Sequence, residues 1–285
     1  MSTHPTAFGP VELREMRGLT ELGASETLQW AVWGQDVLAE SRDLLLAVQY
    51  AGGLVGGAFG PGGEMAGMIF SFPTRDPARQ HSHRLAVLPA WRGQGLGAAL
   101  KWFQRDWCLA RGITQVEWTV DPLRMPNAEL NAGTLGASAR TYYLDFYGAM
   151  QGIDAGLPSD RLLMEWHLAS PRVCGLAESR ALPSGPLHPP GALPAGDPLG
   201  PGDGVPANRV LDGRPLDARL DLTAPRIRLS IPPDFSALTA RDPALGLEWR
   251  LHARQLFQAY FGRGYRLCGF TRRDGPAYLL ERSTP

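Results

Sequence analysis

A segment rich in proline and glycine divides the chain. Between Pro183 and Pro206, 14 of 24 residues are Gly or Pro, and few carry a large apolar side chain. Such a segment cannot bury enough apolar surface to offset the entropy of ordering it. We therefore expect a linker over 172–206 that joins a domain at 1–171 to a smaller one at 207–285, a division that suits a chain of 285 residues.

Composition excludes several classes of protein. With 28 basic and 28 acidic residues the net charge is zero, which argues against a nucleic-acid partner. No apolar run approaches the length of a membrane span, and no signal peptide is recognised. The three cysteines, Cys108, Cys174 and Cys268, are widely separated and lack metal-ligand spacing. We expect a cytoplasmic protein with reduced thiols, no metal site and no membrane association.

Hydrophobic periodicity predicts strands and helices in both halves. In the first half we expect a hairpin of strands at 54–59 and 65–72, a helix from about 95 to 111 and a strand at 115–120. A strand over 142–147 and another over 162–168 close this half. In the second half a strand at 227–231 precedes a helix through Leu245 and Tyr260, followed by paired strands at 265–270 and 278–280. The fold class is α/β (α+β) with a central mixed sheet flanked by helices.

The most informative motif is a Gly-rich turn between a strand and a helix. The strand from His83 ends near Leu88, the turn runs Arg92-Gly93-Gln94-Gly95-Leu96-Gly97, and a helix follows. Glycines let a ligand approach the backbone, and the first amides of a helix have no partner within the helix. Together they favour binding of a phosphate or pyrophosphate. The spacing fits neither the dinucleotide fingerprint nor a nucleotide-triphosphate loop.

The pattern Val-x-Pro-x-x-Arg-Gly-x-Gly-x-Gly from Val87 to Gly97 resembles the acyl-CoA signature of the GNAT superfamily of N-acetyltransferases. The resemblance covers about residues 11–168 and implies a GNAT-type sheet. The rest of this half is similar to a bacterial branch linked to amino-acid N-acylation. The C-terminal half has the order of a degenerate GNAT-like copy without the phosphate turn.

The resemblance implies a set of residues that bind acetyl-CoA or another acyl-CoA. Backbone amides of the turn would hold the pyrophosphate, the end of the preceding strand would pair with pantetheine, and an amide near Leu85 or Ala86 would face the thioester oxygen. Asn127 would begin a short helix, either as its N-cap or near pantetheine, and Asn131 would lie on it. The full set is Leu85, Ala86, Val87, Leu88, Arg92, Gly93, Gln94, Gly95, Leu96, Gly97, Ala98, Asn127 and Asn131.

Catalysis requires a group that takes the proton of the attacking amine. His83 lies where the superfamily often places its base, and its ordinary pKa suits the role. Asp121 is a second candidate, with a capping role as the alternative. The tyrosine that the family uses as acid is missing, because Ala132 stands at that position; Tyr147, like Tyr142 and Tyr143, is expected on the next strand and could supply a hydroxyl. The alternative is loss of the thiolate without an acid.

The sequence thus predicts an acyl-CoA-dependent N-acyltransferase that moves an acetyl or other short acyl group, succinyl included, to a small-molecule amine, with an amino acid as the favoured acceptor. A substrate carboxylate would need an arginine, for which Arg75, Arg84 and Arg140 are candidates. The alternative is a non-catalytic acyl-CoA-binding regulator or scaffold. The acceptor, the acyl chain and the oligomeric state, a homodimer included, stay open.

Overall fold

The computed structural model describes residues 2–35, 37–148, 156–181 and 204–282, and its internal contacts form two units. The first comprises residues 2–118 and 167–170. The second comprises residues 119–166, 171–181 and 204–282. Residues 119–166 thus group with the C-terminal part of the chain, and the first ten residues of the predicted linker belong to a helix. Residues 182–203 lie outside the described residues, and independent folding of 1–171 stays a prediction.

The first unit has a sheet with the strand order β1-β2-β3-β4-β5-β6. Its elements are β1 Ser2–His4, β2 Val11–Glu15, α1 Gly18–Trp33, α2 Arg42–Tyr50, β3 Leu54–Phe59, β4 Met65–Pro73, β5 Arg79–Val87, α3 Leu96–Leu109 and β6 Gln115–Val120. Neighbouring strands are antiparallel except β5 and β6, which are parallel. The predicted hairpin of β3 and β4 and the predicted strand β6 are confirmed.

Helices α1, α2 and α3 pack their apolar residues against this sheet. Leu22 of α1 and Leu45 of α2 are fully buried and belong to a core with Val55 and Phe70 of the sheet. Helix α3 buries Leu96, Leu100, Phe103 and Trp107, as the periodicity predicts. A side chain at Gly56 of β3 would come within 2.9 Å of the Phe103 ring, so glycine there allows the close approach of α3.

The second unit has a sheet with the order β8-β7-β13-β14-β12-β9 and a separate hairpin of β10 and β11. Its elements are α4 Met125–Ala128, β7 Ser138–Tyr143, β8 Arg161–His167, α5 Pro171–Ala181, β9 Val205–Pro206, β10 Arg209–Leu211, β11 Arg214–Leu216, β12 Arg226–Ser230, α6 Phe235–Arg241, α7 Pro243–Gly262, β13 Tyr265–Thr271 and β14 Ala277–Arg282. A single wide turn at Glu129–Thr134 follows α4.

Helix α7 forms the core of this unit. Trp249, Leu256, Phe257 and Tyr260 are buried on it, and the Asp242 side chain caps its first turn by accepting from the Leu245 amide. Strand β13 pairs with β7 at Leu267 and Ala139. The aromatic helix predicted from the sequence therefore packs, through β13 and β7, on residues that we expected in the first domain.

Two predicted elements differ from the structure. The strand expected over 142–147 is β7, which ends at Tyr143, because Asp145 has a φ of 43° and begins a turn. The Asp145 carboxylate accepts hydrogen bonds from the amide and the hydroxyl of Ser159, and these bonds stabilise the turn. Tyr147 thus lies beyond the strand. The short helix begins at Met125 after Arg124, so Asn127 lies inside it and is not its N-cap.

Candidate active site

Strands β5 and β6 pair over only a short length. The parallel pairing joins Arg79 to Gln115, Gln80 to Val116 and His81 to Glu117. Strand β5 continues for six residues beyond His81 and pairs there with β4 on its other side. The edge of β5 that faces away from β4 is therefore available to an extended ligand over Ser82–Val87, by the geometry of strand addition.

A bulge and the alternation of amides along the strand determine which backbone amides point towards that edge of β5. The register between β4 and β5 shifts between Phe70 and Ser71, so that His83 is the extra residue of β5. The Leu88 amide donates to Ala66 O of β4 at 2.9 Å. Because amides alternate between the two edges of a strand, those of Leu85 and Val87 point away from β4. Among the residues predicted to pair with pantetheine, the geometry favours Leu85 and Val87 over Ala86 and Leu88.

The Gly-rich turn presents backbone amides rather than side chains. Gly93 and Gly95 have φ values of 76° and 77°, in the left-handed region that favours glycine. Gly95 is the N-cap of α3, and the first intrahelical bond runs from the Ala99 amide to Gly95 O. The amides of Leu96, Gly97 and Ala98 precede that bond and point out of the helix end, where the helix dipole favours an anion.

Arg92 begins this turn on an exposed position. Its Nε donates to Val87 O, at 3.3 Å, across the end of β5. Trp91, one residue earlier, is buried and contacts Phe8 edge-on, with ring centroids 4.8 Å apart. The turn is thus anchored to β5 on one side and to the N-terminal residues on the other, which the sequence did not indicate.

His83 lies beside a carboxylate that the sequence analysis missed. Its Nε2 is 3.3 Å from Oε1 of Glu40, which also accepts from Arg84 at 3.0 Å. A carboxylate only accepts, so Nε2 carries the proton and, in the neutral ring, Nδ1 has the free lone pair. The His83 ring also contacts Phe70 and Phe72, each at a centroid distance of 5.3 Å. This arrangement leaves Nδ1 as the proton acceptor.

Glu40 is held in place by a buried glutamine. The side chain of Gln29, on α1, donates to Glu40 O and accepts from the Glu40 amide. Arg84 in turn donates to Leu38 O and stacks over the Trp33 ring, 4.9 Å from its centroid. The segment after α1 is thereby fixed over β5. Nothing in the sequence indicated these contacts, because neither Gln29 nor Glu40 belongs to a recognisable motif.

A second histidine lies at the point where β5 and β6 part. Nδ1 of His81 is 3.9 Å from Oε1 of Glu117, and Arg79 holds the same carboxylate at 3.2 Å. Burial lowers the pKa of His81, partly offset by the Glu117 charge. His81 is therefore neutral at pH 7 and is a further candidate base.

Lys101, the single lysine of the chain, is buried on α3. Its Nζ donates to Ser82 Oγ and Gln104 Oε1 and lies 3.5 Å from the centroid of the Trp118 ring. Burial lowers its pKa to about 7. An amine with a lowered pKa therefore lies beside Ser82, the residue that precedes His83 on β5.

In the second unit Asp121 forms a buried ion pair. Both of its carboxylate oxygens accept from Arg250 of α7, at 2.8 and 2.7 Å, and Oδ1 also accepts from the Leu123 amide. Burial raises the pKa of Asp121, but the Arg250 hydrogen bonds and charge outweigh it, and the net pKa lies below the ordinary value. A carboxylate held in this way is a weak base, so the geometry favours a structural role over the predicted catalytic one.

The remaining predicted residues of this unit differ in exposure. Asn131 is buried, and its carbonyl accepts from the Ala137 amide, whereas Asn127 is exposed on α4. Tyr147 is 53% exposed, and its hydroxyl is 3.0 Å from Thr119 Oγ1. Arg161 lies over the Tyr147 ring at 5.1 Å. The roles of all three in acyl transfer stay predictions.

Comparison with known proteins finds a family model that matches part of the chain. Residues 21–130 match the model described as the acetyltransferase (GNAT) family. This part of the chain is therefore similar to a GNAT domain. The match includes most of α1, the Gly-rich turn and the whole of α3, so the resemblance inferred from the sequence is confirmed. Acyl-CoA-dependent acyl transfer is the general activity that this family supports. No curated protein matches the chain.

Several solved structures are similar to the GNAT part of the chain. The ribosomal-protein-S18-alanine N-acetyltransferase from Escherichia coli is 19% identical with a TM-score of 0.47, and the match covers 56% of this chain and 95% of that one. An aminoglycoside 6'-acetyltransferase type Ii is 15% identical at 0.47, over 56% and 98%. A phosphinothricin acetyltransferase from Sinorhizobium meliloti in complex with AcCoA is 17% identical at 0.45, over 54% and 86%. Their acceptors differ, and these likenesses give no acceptor for this chain.

Two searches of the described residues concern other kinds of site. Within residues 2–35, 37–148, 156–181 and 204–282, no three His, Cys, Asp or Glu side chains are grouped as a metal ion would require. In the same part of the chain, no helix has both the length and the apolar character needed to cross a membrane.

Proposed function

We propose that the protein is an N-acyltransferase that moves an acetyl or other short acyl group, such as succinyl, from acyl-CoA to the amine of a small molecule, with an amino acid as the favoured acceptor. The observation that carries the proposal is the combination, in one unit, of a β5 edge with outward amides and a Gly-rich turn whose amides point out of the α3 end. These two features suit the two parts of CoA, an extended pantetheine and a pyrophosphate.

The groups of the GNAT domain fit this co-substrate. The amides from Gly95 to Ala98 would hold the pyrophosphate, and the Leu85 and Val87 edge would pair with pantetheine. A backbone amide next to the bulge of β5 would stabilise the negative charge that develops on the thioester oxygen. Of the amides that point away from β4, that of Leu85 is nearest to the bulge. No protein nucleophile is needed, because the bound amine attacks the thioester directly.

The chemistry of the step balances with one base. A C–N bond forms as the C–S bond breaks, and the amine loses a proton while the departing thiolate can gain one. His83 Nδ1 is placed to take that proton because Glu40 holds the Nε2–H. Glu40 stabilises the imidazolium that results. Since Ala132 replaces the usual tyrosine, we propose that the thiolate leaves without a dedicated acid.

The amino-acid acceptor is favoured by an arginine next to the proposed base. Arg84 follows His83, and its guanidinium lies between Glu40 and the Trp33 ring. A planar guanidinium can donate two hydrogen bonds to a substrate carboxylate. Of the other candidates, Arg140 belongs to the second unit, and Arg75 is exposed and lies farther from His83 along the chain.

The test is release of CoA thiol by the purified protein with acetyl-, propionyl- and succinyl-CoA, each crossed with D- and L-amino acids and simple amines. Turnover with one donor and acceptor pair is the expected result. His83→Ala should then reduce the rate by about 10²–10⁴-fold while CoA still binds. His81→Ala is the matched variant, two residues earlier on β5, and a larger loss there would assign the base to His81 instead.

A binding protein without catalysis is the second candidate. It is favoured by the saturated hydrogen bonding of Asp121 and by Ala132 at the position of the family's tyrosine. Silence across the whole donor and acceptor panel, with CoA still raising the melting temperature, would support this candidate against the enzyme.

A further inference from the structure

The N-terminal strand β1 contacts the Gly-rich turn at one residue. Nε2 of His4 is 2.7 Å from Gln94 O, and the amide of Ala7 donates to Gln94 Oε1, also at 2.7 Å. Strand β1 is held in place by antiparallel pairing with β2, in which His4 lies opposite Val11. Both oxygens of Gln94 are therefore occupied by hydrogen bonds with the N-terminal residues.

The hydrogen bond of His4 fixes a peptide plane. A carbonyl oxygen only accepts, so His4 Nε2 must carry the proton. The peptide that joins Gln94 to Gly95 is planar and trans, which makes its C=O and its N–H point in opposite directions. Because His4 holds the C=O on the β1 side, the Gly95 amide points to the other side. That amide immediately precedes the first-turn amides of α3.

The freedom of this peptide makes such a restraint useful. Gly93 and Gly95 have φ values of 76° and 77°. Because glycine is conformationally permissive, the peptide that joins Gln94 to Gly95 could adopt several orientations. A Cβ at Gly95 would lie 3.4 Å from His4 Nε2, which shows how closely the ring approaches the turn. A hydrogen bond from a strand-anchored side chain selects one orientation before a ligand arrives.

We propose that His4 is a positioning residue for the co-substrate. It holds the Gln94 peptide so that the Gly95 amide joins those of Leu96, Gly97 and Ala98 in binding the pyrophosphate of acyl-CoA. This inference rests on the proposed function and extends it to a residue outside the GNAT match, which begins at residue 21. His4 does not touch the reacting atoms and acts only through the turn.

The test is calorimetric titration of the full chain with CoA and, separately, with pantetheine, which lacks the pyrophosphate. His4→Ala should weaken CoA binding by about three- to tenfold, the effect of one hydrogen bond, and leave pantetheine binding unchanged. His4→Gln places an amide N–H near the position of Nε2 and should restore CoA binding to within about twofold of wild type. Thr3→Ala, on the neighbouring exposed position of β1, is the control and should bind both ligands normally.

Each result has one meaning. If His4→Ala binds CoA as tightly as wild type, the positioning role is overturned while the proposed function stands. If it weakens CoA and pantetheine equally, His4 only supports the fold, and the proposal is again overturned. Failure of the wild-type chain itself to bind CoA would overturn the proposed function together with this inference.

Discussion

The Gly-rich turn of the first unit and the Arg250–Asp121 pair of the second treat their polar groups in opposite ways. The turn points the amides of Leu96 to Ala98 out of a helix end, and Gln94 is the residue whose oxygens the protein itself occupies. The pair directs both carboxylate oxygens of Asp121 at one guanidinium. The Asp121 carboxylate, whose hydrogen bonds are made within the protein, therefore stabilises the fold. The backbone amides at the start of α3 point outward and can bind a ligand.

The same contrast applies to α7 as a whole. One turn beyond Arg250, Arg254 makes a second two-bond contact, with Asp160, at 2.8 Å for both bonds. Tyr142 donates to the same carboxylate, and Phe257 stacks on Tyr142 at a centroid distance of 5.5 Å. Residues 250, 254 and 257 share one face of the helix. This face contacts the chain after β6 and before β8, and of the residues contacted there Asp121 lies within the GNAT match.

The largest expected effect is on stability, from breaking the buried pair. Arg250→Met should lower the free energy of unfolding by about 3–5 kcal/mol, because it leaves the Asp121 charge buried without its partner. Chemical denaturation measures the loss. Adding Asp121→Asn to Arg250→Met should recover much of it, since the buried charge is then removed. Equal stability of Arg250→Met and wild type would show that the pair does not stabilise this unit.

The pair also gives a pH dependence with a definite sign. The pKa of Asp121 is lowered in the folded protein, so its contribution is present above the ordinary carboxyl pKa of 3.8 and is lost as pH falls through the folded value. The stability difference between wild type and Arg250→Met should therefore shrink in acid. A difference that stays constant down to pH 2 would contradict this assignment.

Lys101 should give a pH dependence of the same sign at higher pH, although here burial disfavours the charged form. Burial lowers its pKa to about 7 from the ordinary value of 10.5, so the unfolded chain binds a proton that the folded chain lacks between these values. Stability should then rise with pH across that window by about 1.4 kcal/mol per pH unit at most. Lys101→Met should remove this slope in denaturation experiments at pH 7, 8 and 9. The same slope in both proteins would show that Lys101 is protonated when folded.

Gly95→Ala tests the turn itself. A left-handed residue with a Cβ costs about 1–2 kcal/mol, so either the turn is strained or it relaxes and moves its amides. We expect CoA affinity, measured by calorimetry, to fall about fivefold to thirtyfold. Gly112, with a φ of 76° after α3, is the matched control, because Gly112→Ala imposes the same backbone strain away from the turn. Equal CoA affinity of the two variants would argue against the turn as the binding site.

The smallest effect should come from a surface pair on α7. Arg214 contacts Glu248 at 2.7 Å, but both side chains are largely exposed. Exposed pairs contribute roughly 0.2–1 kcal/mol. The change in the free energy of unfolding caused by Arg214→Met should therefore be at most about a third of that caused by Arg250→Met. A loss as large as that of Arg250→Met would mean that burial does not set the strength of these pairs.

Local patterns in the sequence predicted much of the fold. The β3–β4 hairpin, α3 and β6 follow from turn residues and periodicity within short windows, and the Gly-rich turn follows from glycine positions. Helix α7 was also recognisable from apolar spacing. By contrast, β1 has three residues, which is too short for any periodicity, and α5 lies where the prediction expected a linker.

The partners of the candidate site could not be read in the same way. Glu40 reaches His83 across 43 positions, and Arg250 reaches Asp121 across 129. No local pattern distinguishes one arginine among the 27 that the chain contains. Asp121 was a reasonable catalytic candidate until the charge that neutralises it was located on a distant helix. His4 was similarly passed over, because its role depends on a strand pairing that three residues do not reveal.

The most direct test of the central claim is a titration of the wild-type chain with CoA. CoA should bind saturably at one site per chain and pantetheine clearly more weakly, because the amides at the start of α3 contact the pyrophosphate. Binding of pantetheine as tight as that of CoA, or no binding of either, would contradict the assignment of the Gly-rich turn as the co-substrate site.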